Sequence, residues 1–280
     1  MFKAPSTAIL RNLSPSFTKC VTNVDLSVSG AIDMAKAHEQ HNLYAEAVKE
    51  CVSATVEVEA DANHPDCCFV EDTLVVCDNV VVVNSLGHES RRGEVGPVRK
   101  ALEQIPSIKS IHNMSDVPDA FIDGGDVLTM PRHQFVGLSK RSNVKGVEYL
   151  RSVFGNENMQ VHAIDMKQLT GTTLHLKCLV SGLDQNTIVV ADNASGRAVF
   201  DEIQRVSENA YKAIYVPDEV AANVLSFPWA KQPTAIIQAG FPESEKILRE
   251  KIPAGWKIVT LNMSELIKAD GALTCCSVLI

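Results

Sequence analysis

Leu74-Val75-Val76-Cys77-Asp78-Asn79-Val80-Val81-Val82-Val83 sets two short apolar runs on either side of a tight polar turn, the pattern of a β-hairpin. The pattern returns three times. Residues 127–129 and 135–138 flank 130–134, residues 177–180 and 187–190 flank 181–186, and residues 224–227 and 234–237 flank the Pro228 to Pro233 turn. Turn centres at Asp78, His133, Gln185 and Lys231 stand roughly fifty residues apart. Helix candidates follow the hairpins at 97–105, 144–154, 195–208 and 244–252, and each leads to another extended run, such as 256–261. A hairpin, a helix and one more strand, repeated at this period, predict a circular array of small units. An ordinary α/β sandwich with coincidental spacing is the alternative, and the ring is preferred.

The remaining stretches supply a fifth unit from both ends of the chain. Residues 8–13 read as a strand, 31–52 as a helix with an apolar stripe at Ile32, Ala35, Leu43, Ala47, Val48 and Cys51, and 54–59 as a strand. The last eleven residues, Asp270-Gly271-Ala272-Leu273-Thr274-Cys275-Cys276-Ser277-Val278-Leu279-Ile280, pass from a turn into an apolar run. Pairing 274–280 with 8–13 closes the ring and removes two sheet edges. In a strand, successive side chains face opposite ways, so Cys275 and Cys276 are expected in different surroundings.

Composition bounds the function. The chain has 280 residues, 45% hydrophobic and 21% charged, as in globular proteins, and 1–280 reads as one domain. A net charge of −8 argues against nucleic-acid and anionic-membrane partners and favours a small cationic one. The start lacks a long apolar segment, and the near-apolar run 74–83 is too short to span a bilayer. Eight cysteines without secretory context then read as reduced thiols of a cytoplasmic protein.

Polar residues gather at the head of each unit. The first begins Pro65-Asp66-Cys67-Cys68-Phe69-Val70-Glu71-Asp72, the second Ile122-Asp123-Gly124-Gly125-Asp126, and the third Gly171-Thr172-Thr173-Leu174-His175-Leu176-Lys177. Adjacent acids before an apolar strand are costly if buried alone and sensible if a cationic ligand pairs with them. A solvated strand start is the plainer reading of Glu71-Asp72, and a satisfied core histidine that of His175. In a closed ring, equivalent positions converge on one end of the axis, where a thiol, an imidazole and carboxylates can act together. His64, Cys67, Cys68, His175 and Cys275 also offer metal-type ligands, but no Cys-x-x-Cys with a matching second half is present, which disfavours a structural zinc site. His38 and His41 lie one turn apart on the 31–52 helix and read as part of its solvated face rather than a metal pair.

Six segments together resemble the dimethylarginine dimethylaminohydrolase family of the guanidine-modifying superfamily. They are Pro-Asp-Cys-x-Phe-Val-Glu-Asp (65–72), Ser-Arg-Arg (90–92), Asp-Gly-Gly-Asp-Val-Leu (123–128), Phe-Val-Gly-Leu-Ser-Lys-Arg (135–141), Leu-His-Leu-Lys (174–177) and Asp-Gly-x-Leu-Thr-Cys-Cys-Ser-Val-Leu-Ile (270–280). The resemblance runs from about residue 31 to the last residue and implies a five-bladed α/β propeller, in agreement with the ring. It further implies hydrolysis of asymmetric dimethylarginine and monomethylarginine to citrulline and the methylated amine, with no cofactor and no metal. On the matching positions it implies Cys275 as nucleophile, His175 as acid/base and Asp123 as its orienting carboxylate. Asp66 and Asp72 resemble a guanidinium clamp, and Glu71, Arg91 and Arg141 the groups that hold the substrate's amino and carboxylate ends. Ala269, where a larger aliphatic residue is expected, and Asp270 resemble further substrate contacts. In the family a residue of the loop 14–30 covers the substrate, but this loop departs from the family's pattern. Arginine deiminase offers the same chemistry on unmethylated arginine, and a noncatalytic protein that binds arginine derivatives is the alternative of another class. Binding alone has no need of the thiol.

Overall fold

A computed structural model describes residues 5–156, 158–171 and 173–280. Met1 to Ala4 of the N-terminal reading and Thr172 of the third unit's head lie outside them. Among the described residues, fifteen strands form five sheets of three. In chain order they are β1 Thr7–Arg11, β2 Ala54–Val58, β3 Leu74–Cys77, β4 Val80–Val83, β5 Ser110–Asn113, β6 Val127–Met130, β7 His133–Gly137 and β8 Gln160–Ile164, then β9 Val180–Gly182, β10 Thr187–Ala191, β11 Lys212–Val216, β12 Leu225–Phe227, β13 Thr234–Gln238, β14 Lys257–Leu261 and β15 Ser277–Leu279. Each sheet holds an antiparallel pair and a third strand added in parallel through a helical crossover. Five such pseudo-repeats make the five-bladed α/β propeller.

Turn chemistry explains the hairpins. Leu74 pairs with Val83 and Cys77 with Val80, leaving Asp78-Asn79 as a two-residue loop with both φ angles positive, +49° and +68°. Asp and Asn tolerate that region, and a turn of this hand matches the twist of the strands it joins. The ring closes as expected, with Ala8 opposite Leu279, Ile9 opposite Val278 and Leu10 opposite Ser277. The crossover helices start on side-chain caps where the sequence provides them. Asn143 accepts from the Gly146 N–H at the head of Val144–Phe154, and Asn193 from the Gly196 N–H at the head of Ala194–Val206.

Four expectations need correction. Residues 274–276 are not strand: Thr274–Cys276 is a 3₁₀ turn and only Ser277–Leu279 pairs with β1. Lys177 belongs to a similar turn, Leu176–Cys178, so the third hairpin begins at Val180. The helix read at 31–52 spans Met34–Lys49 and buries Ala37, Gln40, His41, Tyr44 and Val48, whereas Leu43 is 55% exposed. Gln40 and Tyr44 are inside because they have partners. Gln40 Nε2 donates to Ser264 Oγ at 2.9 Å, and Tyr44 bonds Ser277 Oγ at 2.8 Å. His38 is exposed and His41 buried, so the two do not share a solvated face.

One device recurs in every unit. The chain enters each first strand through a 3₁₀ turn: Val70–Thr73, Gly124–Asp126, Leu176–Cys178, Glu219–Ala222 and Thr274–Cys276. Neighbouring turns pack against one another around the axis.

Candidate active site

The five entry turns carry the chemistry. Glu71 and Asp72 lie on the first, Asp123 and His175 directly precede the second and third, Asn223 directly follows the fourth, and Cys275 lies on the fifth. The sequence-derived candidates at the unit heads therefore meet at one end of the ring. A close approach makes this possible at Gly124-Gly125. A Cβ on Gly124 would collide with the Glu71 carbonyl, and one on Gly125 would come 2.7 Å from His175 Nδ1 and 3.0 Å from Asp72 Oδ1.

His175 Nε2 stands 3.1 Å from Asp123 Oδ2. A carboxylate accepts only, so the ring carries a proton on Nε2 and turns Nδ1 toward Gly125 and Asp72. The Gly87 N–H donates to Asp123 Oδ1 at 2.9 Å and fixes the carboxylate. Burial alone would lower the His175 pKa, but Asp72, Asp126 and Asp123 outweigh it and raise it to about 9. The imidazole is therefore charged at neutral pH.

Burial disfavours the Asp72 carboxylate, yet Arg91 and His175 overcome that and hold its pKa down at about 2. Arg91 Nη1 donates to Asp72 Oδ2 at 2.6 Å and the Gly125 N–H to Oδ1 at 2.9 Å. Arg91 is 5% exposed and its other nitrogens bond Glu94 at 3.0 and 2.8 Å. Arg141 differs: its Nη1 is buried without a hydrogen-bond partner, 3.9 Å from Asp123 Oδ2. Of the two arginines, Arg141 has the spare donor. Asp72, Asp123 and His175 bring donor atoms within 4.8 Å of one another, but Arg91, Gly87 and Gly125 already hold the carboxylate oxygens. That is a charge-paired cluster and not a metal cage.

Cys275 is half-buried and Cys276 fully buried, with Cys276 Sγ set 3.7 Å from the Ala272 carbonyl. The two thiols differ as expected, through the 3₁₀ turn and not through strand alternation. Burial, then the Glu71 and Asp72 carboxylates, push the Cys275 thiol well above its usual pKa. His64 is bonded to Asp61 at 2.7 Å, while Cys67 and Cys68 are buried.

Glu71 is an inward-facing ion-pair partner. Lys177 Nζ donates to its Oε1 at 2.6 Å and Thr274 Oγ1 to its Oε2 at 2.9 Å. Asn223, 2% exposed, completes this floor: its Oδ1 accepts from the Thr274 N–H at 2.9 Å, and its Nδ2 donates to Thr274 Oγ1 and to the Lys177 carbonyl, both at 3.0 Å. Sequence reasoning missed Asn223 and gave Lys177 no role, since their partners lie far away in the chain. The loop 14–30, where the resemblance sets a substrate cover without naming its residue, approaches the site at 21–23. The Val21 N–H donates to both oxygens of Asp66 at 3.2 Å, and the Asn23 N–H to Asp270 Oδ2 at 2.6 Å. Residues 21–23 thus lie against two of the expected substrate contacts, and Ala269 is buried beside Asp270.

Five three-stranded units carrying a thiol, an imidazole and carboxylates on their entry turns define a class, the five-bladed α/β propellers with a charged cluster at the head of the units. The family model described as N,N dimethylarginine dimethylhydrolase, eukaryotic, matches residues 19–280, and the chain belongs to this dimethylarginine dimethylaminohydrolase family of enzymes. It is 29% identical over 273 residues to the N(G),N(G)-dimethylarginine dimethylaminohydrolase of Streptomyces coelicolor, covering 97% of this chain and 95% of that protein. The Pseudomonas aeruginosa enzyme, solved as a cysteine-to-serine variant in complex with citrulline, superposes with a TM-score of 0.81 at 25% identity, covering 99% of this chain and all of that one. The N-terminal domain of ArgZ, a cyanobacterial arginine dihydrolase, reaches a TM-score of 0.77 at 19% identity over 99% of this chain and 97% of that one, a likeness of fold alone.

Proposed function

We propose that the chain is a cysteine-dependent hydrolase that converts Nω,Nω-dimethylarginine to citrulline and dimethylamine, and monomethylarginine to citrulline and methylamine. One observation carries this reading: Cys275, the His175–Asp123 pair and the Asp72 carboxylate come from four entry turns that pack on one another, with Asp72 close to both the imidazole and the thiol. The P. aeruginosa relative bound to citrulline supports it.

In this reading Asp72 and Asp66 clamp the guanidinium and aim its carbon at Cys275. Arg141 holds the substrate carboxylate with its spare donor, while Arg91 reaches that end only by giving up Asp72. Glu71, Ala269 and Asp270 complete the amino acid's surroundings, and 21–23 is the cover. Cys275 is a neutral thiol in the free enzyme, because the carboxylates around it oppose a further anion. The arriving guanidinium cation reverses that balance, and the thiol releases its proton to solvent. The thiolate attacks the guanidinium carbon, forming an S–C bond and a tetrahedral adduct. His175, already protonated at neutral pH, gives its proton to the departing amine as the C–N bond breaks. The remaining thiouronium is attacked by water, from which neutral His175 takes a proton. The S–C bond then breaks as the adduct's hydroxyl proton passes to the departing sulfur, restoring the neutral thiol and releasing citrulline. Residues 1–280 act as one catalytic domain on a small cationic substrate. Eight free cysteines suit a cytoplasmic site, and no helix among the described residues is long and apolar enough to cross a membrane.

Citrulline release from arginine, monomethylarginine and both dimethylarginine isomers tests the assignment. The asymmetric isomer and monomethylarginine are expected to turn over, with little product from arginine or the symmetric isomer. Comparable kcat/KM on arginine would move the protein to the deiminases. Binding without turnover would make it a recognition protein.

A further inference from the structure

Asp126, the second acid of Asp-Gly-Gly-Asp, has no part in the chemistry above, yet it is completely buried. Three donors converge on it. Ser139 Oγ and Ser142 Oγ each donate to Oδ2 at 2.6 Å, and the Leu176 N–H donates to Oδ1 at 3.0 Å. Both hydroxyls are engaged on their other side. The N–H groups of Arg141, at 2.9 Å, and Ser142, at 3.3 Å, donate to Ser139 Oγ, and the Asp123 N–H donates to Ser142 Oγ at 3.1 Å.

A backbone N–H can only donate, so each hydroxyl accepts there and keeps its single proton for Asp126. Asp126 accepts from three donors, the pattern that favours the carboxylate over the acid. Burial pushes its pKa up to about 6, and the His175 charge and the two serines keep it from rising further.

We propose that Asp126 is a positioning residue, a buried carboxylate that sets Asp123, His175 and Arg141 in mutual register and supplies negative charge behind the His175 imidazolium. It reaches the Asp123 backbone through Ser142, the Arg141 backbone through Ser139, and the His175 segment through the Leu176 N–H. These contacts tie the second unit's head and the segment after β7 to the third unit's head. Asp126 does not touch the substrate. The charges facing His175 are Asp123 on Nε2, Asp72 beside Gly125, and Asp126; Arg91 sits on Asp72 and Arg141 lies near Asp123. Without Asp126, two acids face the imidazole, with the same two arginines beside them.

The role rests on the reading of His175 and Asp123 as a catalytic pair, so the test has one readout that needs no substrate. Asp126→Asn keeps the shape, removes the charge and brings a donor amide against a donor. In the full-length, ligand-free protein, NMR titration of His175 is expected to move at least one pH unit down. Citrulline formation from asymmetric dimethylarginine is expected to lose at least tenfold in kcat with KM within threefold, and the basic limb of the kcat profile moves the same way. Ser142→Ala, which keeps the carboxylate, is expected to lose less in kcat and to shift the titration by under half a unit. An Asp126→Asn protein with wild-type His175 titration and wild-type kcat overturns the proposal, as does one in which only the melting temperature falls. If Asp126→Asn fails to fold, the Ser139→Ala/Ser142→Ala double variant carries the test: lowered kcat with a shifted titration supports the role, and wild-type values for both overturn it. A wild-type protein inert on every methylated arginine would defeat the proposed function, while the His175 titration would still decide the role of Asp126.

Discussion

The two ends of the ring axis are built from the same five first strands and are chemically opposite. At the front, the entry turns gather Glu71, Asp72, Asp123, Asp126, His175 and Lys177 with Cys275. Toward the hairpin turns, a cavity of about 370 Å³ is walled by Leu74, Val76, Leu128, Met130, Leu183 and Val278. Glu71, Lys177 and Thr274 also line that cavity, so the Glu71–Lys177 pair is a partition between the two spaces. The cavity is large enough for a small ligand, yet neither Cys275 nor His175 lines it. Reactivity follows from where charges are forced together, and each buried charge at the front is tolerated because a partner meets it.

The largest expected effect separates front residues from their nearest neighbours. Cys275→Ser is expected to lower kcat by about a thousandfold or more, as nucleophile removal does elsewhere, with the circular dichroism spectrum unchanged. Cys276→Ser, in the packed core behind it, is expected to keep kcat within about fivefold and lose about 1–2 kcal/mol of stability. Kinetics and urea denaturation of both variants check this, and equal kcat losses would erase the distinction.

The partition comes next. Lys177→Met leaves the half-buried Glu71 carboxylate without its cation, held by Thr274 alone. A loss of about 2 kcal/mol is expected, less than the roughly 3–5 of a fully buried pair. Adding Glu71→Gln is expected to restore part of it. A double variant no more stable than the single one would show that the pair does not hold this floor together.

Acid–base linkage gives a third, pH-dependent difference. His175 has a folded pKa of about 9 against 6.5 unfolded, so its contribution is fully present below pH 6.5 and is lost as pH rises through about 9. Stability is expected to fall by about 2–3 kcal/mol between pH 6.5 and 10, and His175→Gln is expected to flatten that part of the curve. Identical pH dependence in the two proteins would contradict a charged His175.

At the rear the expected effect is smallest. Met130→Leu nearly conserves volume and is expected to cost less than about 1.5 kcal/mol with no change in kcat. A rear substitution that lowered kcat as a front one does would break the contrast between the two ends.

Much of the ring was legible because hairpins announce themselves. Apolar runs around Asp78-Asn79 and the Pro228 to Pro233 turn fall close to the observed strands, and the 144–154 helix falls on its observed bounds. The entry turns were not legible. A single 3₁₀ turn has no apolar periodicity, and Leu176-Lys177-Cys178 is apolar enough to pass for strand. The helix face at Met34–Lys49 was misread because Gln40, His41 and Tyr44 are inside, where bonds to residues more than 200 positions away satisfy Gln40 and Tyr44. The same distance hid the Glu71–Lys177 pair, the Asn223 clamp on Thr274 and the bonds from 21–23 to Asp66 and Asp270. Motif residues at the unit heads could be named from sequence, whereas the groups that hold them become visible only when the ring is closed.

The central claim is that the front chamber works through a covalent bond to Cys275. Acid-quenching the enzyme during steady-state turnover of asymmetric dimethylarginine, followed by intact-protein and peptide mass spectrometry, tests it directly. The expected result is a thiouronium adduct on the peptide containing Cys275, absent in Cys275→Ser and absent once substrate is exhausted. Undiminished citrulline formation by Cys275→Ser, with no adduct on the wild-type enzyme, would contradict it.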